Sequence, residues 1–131
     1  MKNTLLGLSL AAILPAFAFA SADGVWRTQP NADKAYLEVT VGPCEKDGKK
    51  TCGVITRAIT ADGENPDYEY LGKLMIMDMT SKDKSSYSGG KIWDPERDKV
   101  FKSKMLREGN TLEVEGCVAF ICDGQSWELV E

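Results

Sequence analysis

Tyr87-Ser-Gly-Gly-Lys-Ile-Trp-Asp-Pro-Glu-Arg-Asp-Lys-Val-Phe-Lys-Ser-Lys-Met105 reads as two strands around a polar turn. On the second arm Val100, Lys102 and Lys104 alternate with Phe101, Ser103 and Met105. That period of two belongs to a strand with one wet face. Asp94-Pro95-Glu96-Arg97-Asp98 supplies the turn, because proline pre-sets the backbone angle and aspartate hydrogen-bonds nearby backbone. With residues 95–98 as the loop, Ile92 falls opposite Phe101, Gly90 opposite Ser103 and Ser88 opposite Met105, apolar side chains on one face and lysines on the other. A loop one residue longer or shorter sets Lys91 against Phe101, so the hydrophobic pattern selects the even loop. Gly89-Gly90 in mid-strand marks a bulge, a sharp bend or a close backbone approach.

The same alternation recurs outward from this hairpin. Residues 24–28, 36–41, 52–59, 71–79, 111–117 and 125–130 read as further strands, with polar, glycine- and proline-bearing loops between them. Leu37, Val39 and Val41 point inward and Glu38 outward; Leu112 and Val114 inward, Glu113 and Glu115 outward. About eight short strands at roughly 8–12-residue spacing, with no convincing helix, predict an all-β sandwich or closed meander. Sequential hairpins favour a single antiparallel up-and-down β-barrel, whose closure also removes aggregation-prone edges.

The start of the chain has another purpose. Met1-Lys2-Asn3-Thr4, an apolar run over residues 5–17 and the small-x-small triplets Ala18-Phe19-Ala20 and Ala20-Ser21-Ala22 make a secretory signal peptide. The run is shorter than the roughly 20 residues of a membrane anchor, and no later segment is apolar enough to span a bilayer. Residues 1–22 are read as the leader and 23–131 as one exported, periplasmic domain, though cleavage after Ala20 fits the same pattern. The formal charge of −4 becomes −5 once Lys2 is lost, which argues against nucleic acid as a partner.

Four cysteines, Cys44, Cys52, Cys117 and Cys122, suggest disulfides in an exported chain. Three pairings are open; the local ones, Cys44 with Cys52 and Cys117 with Cys122, are favoured because each brackets a hairpin or tight loop. A zinc site is disfavoured, since there is no histidine and neither gap has knuckle spacing.

Gly24-Val25-Trp26 on the first strand resembles the lipocalin and calycin signature, in which the tryptophan packs across the closed end of the barrel. Cys52-Gly53-Val54-Ile55, Asp62 with Asn65-Pro66-Asp67, Leu71-Gly72, Gly89-Gly90-Lys91-Ile92-Trp93-Asp94-Pro95, Gly116-Cys117 and Ser126-Trp127 extend the likeness over nearly the whole domain. On these motifs the chain is identified as a member of the bacterial exported domain-of-unknown-function family 2147, which is lipocalin-like. The resemblance implies a barrel with a small-molecule pocket and brings no activity with it. Arg57 departs from the family pattern, which has a large apolar residue there.

A small barrel offers an apolar interior wherever bulky side chains do not fill it. The expected ligand-binding residues are Leu37, Val39, Ile55, Ile92, Phe101, Met105, Leu112 and Val114, with Met75 and Met77 as adaptable additions. The competing expectation is that these side chains are simply core. Trp26 and Trp127, on the first and last strands, are expected to seal one end of the barrel. Trp93 falls on the outward face; either it forms a candidate partner surface with Asn65 and Asp94, or, the favoured reading, it packs under the 62–67 loop. Asp62, Glu64, Asn65, Asp67 and Asp94 are oxygen-rich, but their spacing is not that of a calcium loop, so no metal is assigned. Without histidine, and with no serine beside a base, catalysis is disfavoured and no cofactor is expected. The sequence thus points to non-covalent binding of a small hydrophobic ligand, with an envelope partner-binding module built on a filled barrel as the alternative.

Overall fold

One antiparallel sheet carries every strand in the computed structural model, which describes residues 21–131. The strands are β1 (Gly24–Arg27), β2 (Tyr36–Pro43), β3 (Thr51–Thr60), β4 (Gly63–Glu64), β5 (Leu74–Ser81), β6 (Ser86–Asp94), β7 (Lys99–Glu108), β8 (Thr111–Val118) and β9 (Ile121–Leu129). β4 is a two-residue flap on the end of β3. The other eight pair in sequence, and β1 pairs with both β2 and β9, which closes the barrel. Of the expected leader over residues 1–22, residues 1–20 lie outside the described residues and Ser21 and Ala22 within them. Among the described residues, no helix is long and apolar enough to cross a membrane.

The β6–β7 hairpin keeps the register that alternation requires at Ile92–Phe101 and Gly90–Ser103. Asp94 closes the turn by accepting the Glu96 amide at 2.9 Å. Below Gly90 the register slips, and Tyr87 rather than Ser88 meets Met105. One extra residue on β6 makes this a bulge, with Gly89 in the left-handed region at φ +78°. A Cβ on Gly90 would overlap the Met77 carbonyl oxygen, so the neighbouring strand approaches here as it could past no other residue. The slip turns Tyr87 into the barrel, where it is buried.

Two strand boundaries differ from expectation. β5 begins at Leu74 rather than Leu71, because Gly72 adopts φ +87° and donates its amide to Ile55 O, folding residues 66–73 as a coil over the outside of the sheet. β9 begins at Ile121 rather than Gln125, because the chain reverses within two residues, Ala119 and Phe120. Both disulfides are the local ones. Cys44–Cys52 staples the β2–β3 hairpin and Cys117–Cys122 the neck of β8–β9.

The end of the barrel bearing the 44–50, 82–85 and 109–110 turns is filled. Trp26, Val39, Ile55, Ile76, Met79 and Leu112 are wholly buried there. The chain enters across this end: the Ala22 amide donates to Tyr87 Oη at 2.9 Å, and the Trp26 indole donates to Ala22 O at 2.8 Å. The Arg107 guanidinium lies 5.1 Å from the Trp26 ring and donates to Ser21 O at 2.7 Å. Ser21 and Ala22 are therefore built into the closed end.

Candidate functional site

The inner rows of the strands taper towards the other end. On β8 the inward positions run Leu112, Val114, Gly116, Val118, from a fully buried leucine to a residue with no side chain and then to the rim. On β7 they run Met105, Ser103, Phe101, and on β3 the wall position is Ala58. A small residue at Ala58 leaves space unfilled, while Gly116 lets Phe101 and Ile92 lie close against the backbone of β8. A Cβ on Gly116 would press on Phe101 and Ile92 at 3.3–3.4 Å. The result is a cavity of about 640 Å³, open at the end formed by the 28–35, 60–73, 95–98 and 119–120 connections.

The lower wall of the cavity is apolar: Leu37, Ala58, Met75, Ile92, Phe101, Val114 and Trp127. Its rim is polar, with Thr28, Gln29, Asn31, Asn65, Asp94, Glu96, Arg97, Asp123 and Gln125. The rim is tied together by Asn31 Nδ2 donating to Glu96 Oε1 at 3.0 Å and by Arg97 Nε donating to Asp94 Oδ2 at 2.7 Å. Arg97 also lies 5.0 Å from the Phe101 ring. Burial raises the Asp94 carboxyl, but the Arg97 side chain and the amides of Glu96 and Arg97 outweigh it and hold the group below the ordinary range. Burial pushes the Tyr68 phenol in the wall up from its ordinary value. Beneath the cavity, the Ser103 hydroxyl is buried without a hydrogen-bond partner among the described residues.

Of the ten residues expected to bind a ligand, Leu37, Met75, Ile92, Phe101 and Val114 line the cavity. Val39, Ile55, Met105 and Leu112 point inward as expected but belong to the solid half, where large neighbours close over them. Met77 pairs with Lys91 while its neighbour Ile76 pairs with the inward Ile92, so alternation puts Met77 on the outer face. Trp26 and Trp127 lie at different depths in the barrel. Trp26 is opposite Leu129, which sets Trp127 one inward position nearer the mouth, as the floor of the cavity.

Trp93 is on the outer face, as its register demands, yet only 8% exposed. Tyr70 meets it edge-on at 5.0 Å, the Lys73 ammonium lies 5.0 Å from its ring, and its indole donates to Asp98 Oδ1 at 2.9 Å. The cover is the coil after Asp67, not the 62–67 loop, so Trp93 offers no free surface to a partner. Asn65 and Asp94 go to the cavity rim instead. Arg57 points out, paired with Glu38 at 2.8 Å and Glu64 at 2.9 Å, and Ala58 rather than Arg57 contributes to the cavity wall.

The oxygen-rich set does not converge. Glu64 is held by Arg57 and Asp94 by Arg97, while Asn65 Oδ1 accepts the Asp67 amide. Cys44, Cys52 and Asp78, and likewise Glu115, Cys117 and Cys122, bring ligand-type atoms within 4.8 Å of one another. In both groups the sulfurs are already bonded to each other, so neither offers a thiolate. Asp123 and Gln125 were not expected at the site. Counting back by two from the inward Trp127 finds both, once β9 is allowed to begin at the disulfide.

Residues 24–128 match a family described as an uncharacterized protein conserved in bacteria, DUF2147. No curated protein matches. Among solved structures, the chain is similar to protein HP1028 from the human pathogen Helicobacter pylori, which is described as belonging to the lipocalin family. The TM-score is 0.66 over 86% of this chain and 84% of that one, at 16% identity, a likeness of fold.

Proposed function

The chain belongs to the DUF2147 family of bacterial proteins, and we propose that it is an exported binding protein that holds a small, largely apolar molecule in the open half of its barrel. The observation that carries this reading is the cavity itself: about 640 Å³, apolar below and polar at the rim. That volume lies within the roughly 300–1,000 Å³ of ordinary ligand sites. An apolar body against Trp127, Ile92 and Phe101 with a polar end among Gln125, Asp123 and Arg97 matches the wall at both depths. Two disulfides and the leader-like residues 1–20 support export, and the periplasm is the compartment proposed.

Native mass spectrometry of protein taken from its own periplasm should show a co-purifying mass. Palmitate or 1-N-phenylnaphthylamine should change the fluorescence of Trp127 and raise the melting temperature. Ala58→Phe, which places a ring in the void, should abolish both responses and leave the fold intact. A wild-type protein that carries no co-purifying mass and is indifferent to such ligands would overturn the reading.

A further inference from the structure

Four consecutive apolar residues, Val118-Ala119-Phe120-Ile121, form the tip of the β8–β9 hairpin at the cavity mouth. Phe120 is 93% exposed, Ile121 70% and Val118 63%. These are the three highest exposures among the large apolar residues described, and they are contiguous, whereas Leu74, Val100 and Leu106 are scattered singly. The turn also breaks a local rule to carry them. Ala119 adopts φ +54°, a left-handed conformation for which glycine or asparagine is the ordinary choice. A sequence that sets aside turn chemistry to display an alanine and a phenylalanine is answering to something outside the fold. The Cys117–Cys122 disulfide holds the neck, so the finger is ordered before it meets anything.

The surroundings say what it meets. Beside the finger, on the outer face of β6 and β7, Lys102 is opposite Cys117 and pairs with Lys91; Lys104 continues the row, and all three are exposed. Against them stand Glu115, opposite Lys104, and Asp123, inside the mouth, while Lys99 is opposite Asp94 beside Glu96 and Asp98 of the turn. In a chain of net charge −4, Lys91, Lys102 and Lys104 set three positive charges in a row on this face. We propose that the finger docks the open end of the barrel onto a bilayer surface containing anionic phospholipid, with Phe120 and Ile121 among the acyl chains and the lysines at the headgroups. A protein partner would need roughly 800 Å² of matching surface on each side, which a two-residue turn does not offer. A fluid bilayer accepts a narrow apolar point. Val118 and Ile121 line the cavity as well as the tip, so docking brings the cavity mouth against hydrocarbon.

The proposal stands apart from occupancy of the cavity, and its test keeps the two separate. Mature protein should co-sediment with phosphatidylglycerol–phosphatidylethanolamine vesicles, less with phosphatidylcholine, and less at high salt. Phe120→Ser should cut the partition coefficient on the order of tenfold or more without moving the melting temperature. Lys91→Gln with Lys102→Gln should weaken binding only to the anionic vesicles. Ala58→Phe, closed to ligand, should still bind. Absence of vesicle binding, or binding untouched by Phe120→Ser, overturns the proposal. So does a concentration-dependent dimer, dissolved by Phe120→Ser in the absence of vesicle binding, which would assign the tip to a second copy of the chain.

Discussion

The two ends of this barrel are made by the same eight strands, and they differ as a solid differs from a cup. At the closed end Trp26, Ile55, Ile76, Met79 and Leu112 interlock, and the chain itself crosses over them through Ala22 and Arg107. At the open end, further along the same inner rows, Ala58 is a small wall residue, and Gly116 lets Phe101 and Ile92 lie close against the backbone of β8. Strand number sets only the bore of the barrel. Whether a given depth is filled is decided residue by residue, by volume along each inward row.

This contrast predicts unequal costs for truncation. Trp26→Ala should lose about 3–5 kcal/mol, because it opens a hole in a region with no slack and strands the Arg107 contact. Ile92→Ala should lose less than about 2 kcal/mol, since its side chain already faces the void on one side. Denaturant unfolding of the two variants measures the difference. Equal losses would mean that the open half is as tightly packed as the closed one.

A smaller effect sharpens the closed end. Ala22 is wholly buried and makes two hydrogen bonds, and the Ser21 carbonyl makes a third. A chain beginning at Asp23 would leave the buried Trp26 indole without its acceptor and should be less stable by about 2–3 kcal/mol. Of the two small-x-small triplets, the one that ends at Ala20 therefore gives the better-packed protein. The mature N-terminus, read by peptide mass, should be Ser21. An N-terminus at Asp23 with unchanged stability would show that the crossing segment adds nothing.

The difference between the ends also explains what could be read in the residues. The barrel was legible because β2, β7 and β8 alternate cleanly and the even 95–98 loop fixes their phase. The local disulfides were legible because each pair brackets one reversal. Depth was not. Inward parity places Val39 and Leu37 in one row, yet one is core and the other cavity wall, and only the neighbours on adjacent strands decide which. Met77 was misplaced because β5 is apolar on both faces and its pattern carries no phase. A cover over Trp93 was legible but its source was not: residues 66–73 are held by backbone bonds around Gly72, which leave no periodic trace.

The smallest predicted effect tests whether the rim behaves as a unit separate from the base. Asp94 at the rim and Asp83 in the 82–85 turn at the base both have carboxyls held below the ordinary value. The Asp94 carboxyl is lowered by Arg97 and two amides against the opposing effect of burial, and that of Asp83 by the amides of Ser85 and Ser86. A depressed folded-state pKa stabilises above the unfolded value of about 4 and loses that stabilisation as pH falls through the folded value. Acid alone should therefore weaken both ends together. Asp94→Asn isolates the rim: at pH 7 it should cost no more than about 1 kcal/mol, because Arg97 is largely exposed, and the cost should shrink as pH falls through the folded value. Asp94 and Asp83 sit at opposite ends with no shared partner, so the double variant Asp94→Asn, Asp83→Asn should show additive losses at pH 7. Melting temperatures of the four proteins across pH 2–7 make the measurement. Strong non-additivity would mean that strain passes down the strands from mouth to base, and that the empty half of the barrel is mechanically part of the full one.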